Sequence, residues 1–399
     1  MSKTLIVGDI HIGKGLNIGK PAVGHGFNSR VNDQIKLLDW IFDTVIENDV
    51  DRVIFTGDIF EDVRPEYYLF NIFIDFLRRL ELDGIEGHII SGNHDIKRSG
   101  NIFTSVLDLI STYDFEHIFY HKTLTTLHTS GASFTLLPYK DRRGMNVESI
   151  NDALKSIEDS ISYEVLGIPY GDKKVLIGHL ALEGSLYIGD EIDDFQNEII
   201  CPLSLFLNYD YTWMGHVHKP QILNRSPHIS HVGSLDLSDY GETGHTKILI
   251  LFDPNSEDHF TEIPVPSRPL RRLKINIPEN KIVNDYVLEA LREHNETLPY
   301  KSAYVKLEIT INGDQQGIDK KVIEEYIYSL GAFFITNISE SRNISVVSQE
   351  KRELVDNTVD PKSAVKLYAS SIKFKDDDEK NNFINECFSV IEELSESGK

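Results

Sequence analysis

The sequence predicts an α/β protein whose sheet edge carries a site, followed by a small α+β module and a helical tail. Three observations support this fold class. Short apolar runs alternate with helical apolar spacings through about the first two thirds of the chain, the pattern restarts on a smaller scale after a proline-rich segment, and two amphipathic stretches end the chain. Continuous apolar runs of four or so residues are typical of strands buried on both faces.

In the first domain, helical spacing follows the first two strand-like runs, the first time after a Gly-rich loop. The two apolar sets are Val31, Ile35, Leu38, Phe42 and Val45, and then Tyr67, Phe70, Phe73, Ile74, Leu77 and Leu80. Further strand-like runs lie at 134–137, 175–177, 211–214 and 247–252. We therefore predict one α/β domain over residues 1–265.

Three prolines near residue 265 indicate a domain boundary. Strand-like or helical patterns follow at 273–277, 282–294, 304–311, 320–330 and 333–347. They predict a compact α+β module over residues 266–348. Asp360-Pro361 is then typical of a helix start, and a helical tail is predicted over residues 359–399. Its apolar stripe could pack within this chain or bind a partner.

Five apolar runs end in a small residue followed by side chains that bind metals. A glycine permits a sharp turn at a strand end, and the next residue then lies at the sheet rim, where open α/β folds gather ligands. The runs are Leu5–His11, Val53–Asp58, Ile89–Asp95, Val175–His179 and Thr212–His218. They predict a dinuclear metal centre made by Asp9, His11, Asp58, Asn93, His179, His216 and His218.

Each segment alone has an ordinary explanation, such as a turn aspartate, an Asx turn or a packed histidine. The shared pattern of all five favours a single site. The remaining histidines lack this context, and we expect them on the surface or in a satisfied core: His25, His88, His117, His121, His128, His228, His231, His245, His259 and His294.

A ligand set of carboxylates, imidazoles and an amide oxygen suits manganese, iron or zinc better than magnesium, which prefers oxygen ligands and its own water. Two such ions neutralise a phosphate and acidify a water, as phosphate-ester hydrolysis requires. A leaving alkoxide also needs a proton. His94 lies beside a predicted ligand without being needed as one, and it is the candidate general acid.

Composition limits the function classes. The 399 residues carry a net charge of −23, which argues against an independent, high-affinity DNA binder but not against a metal phosphodiesterase, because bound cations invert the local field. Two distant cysteines match no zinc or disulfide spacing. We see neither a signal peptide nor an apolar stretch long enough for a membrane span. A cytoplasmic protein is expected, in the host cytoplasm if it is phage-encoded.

The order of the motifs resembles that of the calcineurin-like metallophosphoesterases. Three segments are more specifically similar to the nuclease subunit of the SbcC–SbcD class of double-strand-break repair complexes: Gly57–Phe60 with Arg64-Pro65, Gly233–Glu242, and Ile263–Arg271. The resemblance is specific over the first 270 residues and rests on domain order beyond them. The compact chain and short tail resemble phage-encoded recombination endonuclease subunits.

This resemblance implies a two-sheet αββα sandwich with a DNA-capping module. It implies that Asp9, His11, Asp58 and His218 hold one metal, and that Asp58, Asn93, His179 and His216 hold the other. It further implies manganese-dependent exo- and endonucleolysis of DNA with a 3′-to-5′ exonuclease sense, with magnesium as an alternative ion. The partners implied are a second copy of the chain and an SMC-like coiled-coil ATPase, on which the tail would dock.

One position departs from some members of the family, which carry a histidine where this chain has Glu61. A glutamate there would repel phosphate unless it is paired, so the balance of exonuclease and endonuclease activity is open. Candidate phosphate contacts are Lys14, Arg30, Arg64, Lys97, Arg98, Arg268, Arg271, Arg272 and Lys274, although each alone also suits a solvated surface. Of these, Arg64, Lys97, Arg98, Arg271 and Arg272 are our substrate-binding predictions.

Two rival functions remain. A phosphatase or phosphodiesterase of the same superfamily could act on a substrate other than DNA, although residues 57–63 lack the arginine of the protein-phosphatase motif G-D-x-V-D-R-G. A non-catalytic scaffold could keep the fold for assembly alone, although such proteins usually lose ligands that are all present here.

Overall fold

Two six-stranded sheets form the centre of the fold. The structure, a computed structural model, describes residues 2–24, 26–99, 102–188, 198–343, 361–371, 374 and 376–396. It divides into a first unit, Met1–Ile311 with Gln315–Arg342, and a second unit, Asn312–Asp314 with Asn343–Lys399. His25 and residues 344–360, which include parts of the predicted module and tail, lie outside the described residues.

The elements up to residue 264 alternate between strand and helix as far as residue 90, as the sequence predicts, and are mostly strands after it. They are β1 (Thr4–Val7), α1 (Ser29–Glu47), β2 (Arg52–Phe55), α2 (Tyr67–Leu82), β3 (Glu86–Ile90), β4 (Lys97–Ser99), β5 (Ile102–Thr104), β6 (Ile118–His121), β7 (Thr125–Thr129), β8 (Ala132–Leu137), α3 (Ile150–Gly167), β9 (Lys173–His179), β10 (Ala181–Leu182), β11 (Ile200–Cys201), β12 (Tyr211–Gly215), β13 (Gln221–Arg225), β14 (His228–His231), β15 (Ile248–Phe252) and β16 (Phe260–Pro264). The later elements are β17 (Leu270–Ile277), α4 (Val283–Thr297), β18 (Tyr304–Asn312), α5 (Lys320–Ser329), β19 (Phe334–Asn343), α6 (Pro361–Ser371) and α7 (Asp377–Glu396).

Parallel strands form the middle of both sheets. The first sheet has the order β16-β15-β1-β2-β3-β6, and its β1, β2, β3 and β6 run parallel. The second sheet has the order β13-β14-β12-β9-β8-β7, and its β14, β12, β9 and β8 run parallel. Parallel strands buried on both faces explain the continuous apolar runs in the sequence.

Alternate side chains of each strand pack in different layers. On β1, Leu5 and Val7 pack against α1 and α2, whereas Ile6 points the other way and packs with Trp213 of the second sheet. Helix α3 covers the outer face of the second sheet through residues such as Ile157. The order helix, sheet, sheet, helix confirms the predicted αββα sandwich.

The predicted apolar faces of α1 and α2 are buried or partly buried, with one exposed exception. Leu38 of α1 and Phe73 of α2 are buried in the core between these helices and the first sheet. Tyr67 was expected on the apolar face of α2, and that expectation is wrong, because its side chain is 80% exposed. Tyr67 is the first residue of α2, so the helix begins before its apolar face reaches the sheet.

The small module packs α4 and α5 onto the sheet β17-β18-β19. Asp33 of α1 accepts hydrogen bonds from two residues of this module. The Arg268 guanidinium donates two hydrogen bonds to the Asp33 carboxylate, at 2.9 and 2.8 Å, and the Tyr304 hydroxyl donates a third at 2.8 Å. Charge-assisted bidentate pairs of this kind fix geometry as well as adding energy.

Arg30 is not available to bind phosphate, contrary to its place among the candidate contacts. Its side chain is fully buried, and it donates to the Asp236 carboxylate at 2.6 Å and to the Leu237 carbonyl. A buried cation needs such a partner because desolvation is costly. The pair joins α1 to the loop that follows β14.

The second unit contains α6 and α7, whose aromatic residues contact one another. The ring of Phe383 lies 6.4 Å from that of Tyr368 and 5.5 Å from that of Phe374, and Lys362 lies over Phe388. Part of the predicted apolar stripe therefore packs within the tail itself. Within the described part of the chain, none of the helices has the length and apolar character required to cross a membrane.

His88 makes the fold sensitive to acid. Burial, opposed by a hydrogen bond to Glu86, lowers the pKa of His88 from 6.5 to about 4. The unfolded chain therefore binds this proton first, and stability falls as the pH drops from about 6.5 to about 4, by on the order of 3 kcal/mol. Thermal melting across that range should show a smaller loss for His88→Gln than for the unsubstituted protein. Equal losses would contradict the assignment.

Candidate metal centre

The predicted ligands meet at one edge of the two sheets. Strands β1, β2 and β3 of the first sheet and β9 and β12 of the second all carry their ligands at or just after their carboxyl ends. Carboxyl ends of parallel strands are where open α/β sheets bind ligands. The side chains that meet there are Asp9, His11, Asp58, Asn93, His94, His179, His216 and His218.

The glycines before the ligands have two different functions. Gly57 has a φ of +102°, which favours glycine, as the sequence predicts. Gly92 and Gly215 do not have positive φ, so a sharp turn is the wrong explanation for them. A Cβ on Gly92 would lie 2.0 Å from an oxygen of Asp58, and one on Gly215 would lie 2.3 Å from an oxygen of Asp9. Glycine is needed at these two positions because a carboxylate oxygen approaches each backbone too closely to leave room for a side chain.

Three predicted ligands have strained backbones. His11, Asp58 and His216 have φ values of 49°, 48° and 83°. Such conformations are uncommon for residues other than glycine, and they persist when the surrounding structure holds them in place. For Asp58 that support includes two bonds, since its carbonyl accepts the backbone N–H groups of Ile10 and His11.

The first group of donor atoms surrounds the imidazole of His11. Its Nε2 lies 3.0 Å from Nε2 of His218 and 3.5 Å from Oδ2 of Asp58. Asp9 joins His11 and His218 in a group whose ligand atoms all lie within 4.8 Å of one another. The four residues are those that the family resemblance implies for one metal.

The second group surrounds the amide oxygen of Asn93. That Oδ1 lies 3.0 Å from Nε2 of His179 and 3.0 Å from Nδ1 of His216. The same Nε2 lies 3.3 Å from Oδ2 of Asp58. One oxygen of Asp58 therefore borders both groups, as a bridging ligand would.

The residues present fit a pair of divalent cations. His11 and His218 bring two ring nitrogens to within 3.0 Å of each other, and buried polar atoms at this spacing normally share a proton or an ion. Burial raises the pKa of Asp58, but the charge and hydrogen bond of His179 outweigh it and hold the pKa well below its usual range. The donor set combines carboxylate, imidazole and amide oxygen, which suits borderline ions.

His94 lies beside the centre with one nitrogen directed away from it. Its Nδ1 is 2.8 Å from the carbonyl oxygen of Glu61, so Nδ1 carries the hydrogen of that bond. Its ring centroid lies 5.0 Å from that of His11. Burial lowers the pKa of His94, but the charge of Asp58 and the Glu61 carbonyl raise it further, and the net pKa is above 6.5. A protonated imidazole suits a general acid.

Glu61, the residue that departs from some family members, is paired. Its Oε2 lies 2.9 Å from Nδ1 of His11 and 3.2 Å from Nζ of Lys14. Burial raises the pKa of Glu61, but the adjacent ring of His11 and the charge of Lys14 lower it to about 2. The predicted condition for tolerating a glutamate near phosphate is therefore met.

Sequence reasoning missed two acidic residues of this region. Glu198 contacts Nε2 of His216 through a carboxylate that is 9% exposed. Asp95 is buried and accepts from the backbone N–H groups of Ile59 at 3.0 Å and Gly92 at 2.8 Å, which ties two ligand loops together. Asp95 could have been found from its place in the asparagine motif, whereas Glu198 has no motif around it.

A cleft of about 640 Å³ opens over the centre. Its walls include Asp58, His94 and His216, and the small module contributes Lys306 and Thr336. Thr336 is held by the Tyr240 hydroxyl at 2.6 Å and by the carbonyl of Ile18 at 2.9 Å. The module therefore forms one wall of the cleft.

Among the described side chains, Lys14 is the candidate phosphate contact that lines this cleft, and none of the substrate-binding predictions does. Arg271 donates to the carbonyls of Pro299 and Leu270, and Arg272 pairs with Glu308. Arg64 and Lys97 lie elsewhere on the first unit, and the side chain of Arg98 lies outside the described residues. Lys14 and Lys306 are the lysines that line the cleft in the described part of the chain.

Comparisons with known proteins agree with the motifs. Residues 2–220 match the calcineurin-like phosphoesterase family. The SbcD components of the SbcCD nuclease from two strains of Escherichia coli are each 23% identical over an alignment of 360 residues. The alignments cover 83% of this chain and 86% of theirs. A solved structure of a dimetal phosphatase from Danio rerio is 12% identical, with 63% of this chain and 91% of that one covered at a TM-score of 0.38.

Proposed function

The chain belongs to the calcineurin-like phosphoesterase family, and we propose that it is a manganese-dependent DNA nuclease, the hydrolytic subunit of an SbcCD-like recombination and repair complex. The observation that carries this proposal is the convergence of all seven predicted ligands and His94 under a cleft walled by the small module. The similarity to the nuclease subunits spans 83% of the chain and thus extends beyond the residues that match the family.

The residues have separate tasks in phosphodiester hydrolysis. Asp9, His11, Asp58 and His218 would hold one ion, and Asn93, His179 and His216 would hold the other together with Asp58. Two divalent ions bound there supply charge neutralisation for the phosphate and the acidity that turns water into a nucleophile. His94 would give a proton to the leaving oxygen, because its Nδ1–H is occupied by the Glu61 carbonyl and its Nε2 is left for the substrate.

The bound ions, rather than the side chains of the cleft, would supply the positive charge that a DNA substrate needs in a chain with a net charge of −23. Lys14 and Lys306 line the cleft, but Lys14 pairs with Glu61 at 3.2 Å and Lys306 pairs with Glu308 at 3.0 Å. Asp239 and Glu242 also line the cleft. Bound divalent ions would add positive charge at the place where phosphate must lie. Because these contacts are few, an ATPase partner and a second copy of this chain would contribute to DNA affinity.

The substrate class is tested by incubating the protein with Mn²⁺ and either linear duplex DNA or p-nitrophenyl phosphate. We expect degradation of the DNA, with a 3′ end label released as mononucleotide before a 5′ label. Replacing Mn²⁺ by Mg²⁺ should lower the rate because imidazole ligands suit Mg²⁺ poorly. Turnover of the monoester without DNA cleavage would favour the phosphatase alternative, and turnover of neither would favour the scaffold.

The tail is proposed to bind the ATPase partner. Deleting residues 360–399 should leave Mn²⁺-dependent cleavage of short DNA within about twofold, because the donor atoms and the cleft all lie in the first unit. Co-purification with an SMC-like coiled-coil ATPase should be lost. Retained co-purification would place the docking surface elsewhere in the chain.

A further inference from the structure

The outward-facing nitrogens of three ligand histidines each contact an oxygen atom. Nδ1 of His179 lies 2.8 Å from the Thr56 carbonyl, which is a backbone partner. The other two oxygens belong to carboxylates. Nδ1 of His11 lies 2.9 Å from Oε2 of Glu61, an ion-pair contact whose angles are outside those of a hydrogen bond, and Nε2 of His216 contacts Oε1 of Glu198. Glu61 therefore contacts a histidine of the first group of donor atoms, and Glu198 contacts a histidine of the second group.

We propose that Glu61 and Glu198 are positioning residues, one for each metal position. Each would accept the N–H of a ligand imidazole and so fix the tautomer in which the opposite nitrogen faces the ion. This inference rests on the proposed dinuclear function. Outer carboxylates of this kind orient a ligand ring and raise its basicity.

The ring geometry at His216 supports a positioning role for Glu198 and argues against direct ligation. Nδ1 of His216 faces the Asn93 oxygen at 3.0 Å, among the atoms of the second group. Glu198 contacts Nε2, the nitrogen that points the other way. An ion held by Nδ1 is therefore on the opposite side of the ring from Glu198.

The Glu198 side chain is mostly buried, so its carboxylate needs a compensating partner. Its side chain is 9% exposed and that of His216 is 10% exposed. A carboxylate removed from water is costly unless a donor or a cation compensates. Among the described residues its Oε2 has no hydrogen-bond partner, so the imidazole of His216 is the contact that compensates for burial.

Glu61 acts with Lys14 at the other position. Its carboxylate is 35% exposed and lies between the His11 ring and the Lys14 ammonium, at 2.9 and 3.2 Å. Lys14 lines the cleft. The lysine offsets the negative charge that Glu61 would otherwise present to a phosphate, so this chain can use a glutamate to orient a ligand without repelling its substrate.

The test measures Mn²⁺ binding to the full chain by isothermal titration calorimetry, with DNA cleavage as a second readout. Glu61→Gln and Glu198→Gln should each weaken one of the two binding events by about 10- to 100-fold and leave the other within about threefold. The double variant should weaken both. Cleavage should fall in each variant and recover in part at saturating Mn²⁺.

Matched controls separate these outcomes from a general loss of charge. Glu66→Gln and Glu183→Gln remove exposed carboxylates near the same loops and should bind Mn²⁺ as the unsubstituted chain does. Alanine at position 61 or 198 should weaken binding at least as much as glutamine, with melting curves showing a folded protein. Unchanged affinity in all four site variants would overturn the inference. If the unsubstituted chain fails to bind two ions, the proposed function itself fails.

Discussion

Replacing Asp58 by asparagine should remove both ions and reduce DNA cleavage by on the order of 10³-fold or more. Oδ2 of Asp58 lies 3.5 Å from the His11 nitrogen and 3.3 Å from the His179 nitrogen, so one oxygen serves both groups of donor atoms. Asparagine keeps the shape of the side chain and can still accept the His94 backbone N–H at Oδ1. It removes the charge that holds two cations together. Metal content after dialysis and the cleavage rate measure the two effects.

The control for this substitution is Asp62→Asn. Asp62 is exposed in the same loop, and its side chain accepts the backbone N–H of Arg64 rather than facing the centre. Its metal content and cleavage rate should stay close to those of the unsubstituted protein. If Asp58→Asn kept two ions per chain and its normal rate, the bridging role would be wrong.

The convergence of the predicted ligands could be anticipated from the sequence because the fold repeats one local arrangement. Each predicted ligand is the last residue of an apolar strand or follows the strand by one to four residues, and both features are local in sequence. Asp9 after β1 and Asp58 after β2 are brought together because β1 and β2 are parallel neighbours in register from Thr4 with Arg52 to Val7 with Phe55. A sequence pattern can indicate such strands and their ends. The parallel arrangement of the strands then places the residues after those ends at the same edge of the sheet.

Residues that act through long-range contacts could not be predicted in this way. Glu198 reaches His216 from a segment without an apolar run or a glycine before it. Lys306 alternates along a strand of the small module like any surface lysine, and only the packing of that module shows that it lines the cleft.

The partners of the candidate cations could not be predicted for the same reason. Arg30 lies near the Gly-rich loop, which made it a reasonable phosphate contact. Its guanidinium is instead paired with the carboxylate of Asp236, more than 200 residues away in the sequence. Arg271 and Arg272 follow the proline-rich segment, but both guanidinium groups are engaged within the module by Pro299 and Glu308. A charge in sequence says little about substrate binding until its partners are known.

His94→Ala should keep both ions and lower DNA cleavage by about 10²- to 10⁴-fold, the range for loss of a general acid. The contact of residue 94 with Asp58 uses the backbone N–H at 2.8 Å, which any substitution retains. Metal content should therefore be unchanged. A diester with a good leaving group, such as bis-p-nitrophenyl phosphate, needs no proton on departure, so its hydrolysis should fall much less than that of DNA.

The comparison of the two substrates distinguishes proton donation from simple phosphate binding by His94. If His94 only held the phosphate, its loss would slow DNA and the activated diester by the same factor. His128→Ala is the matched control, because that histidine is exposed on β7 and should affect neither substrate. Normal DNA cleavage by His94→Ala would rule out the general-acid role, since the leaving oxygen would then obtain its proton elsewhere.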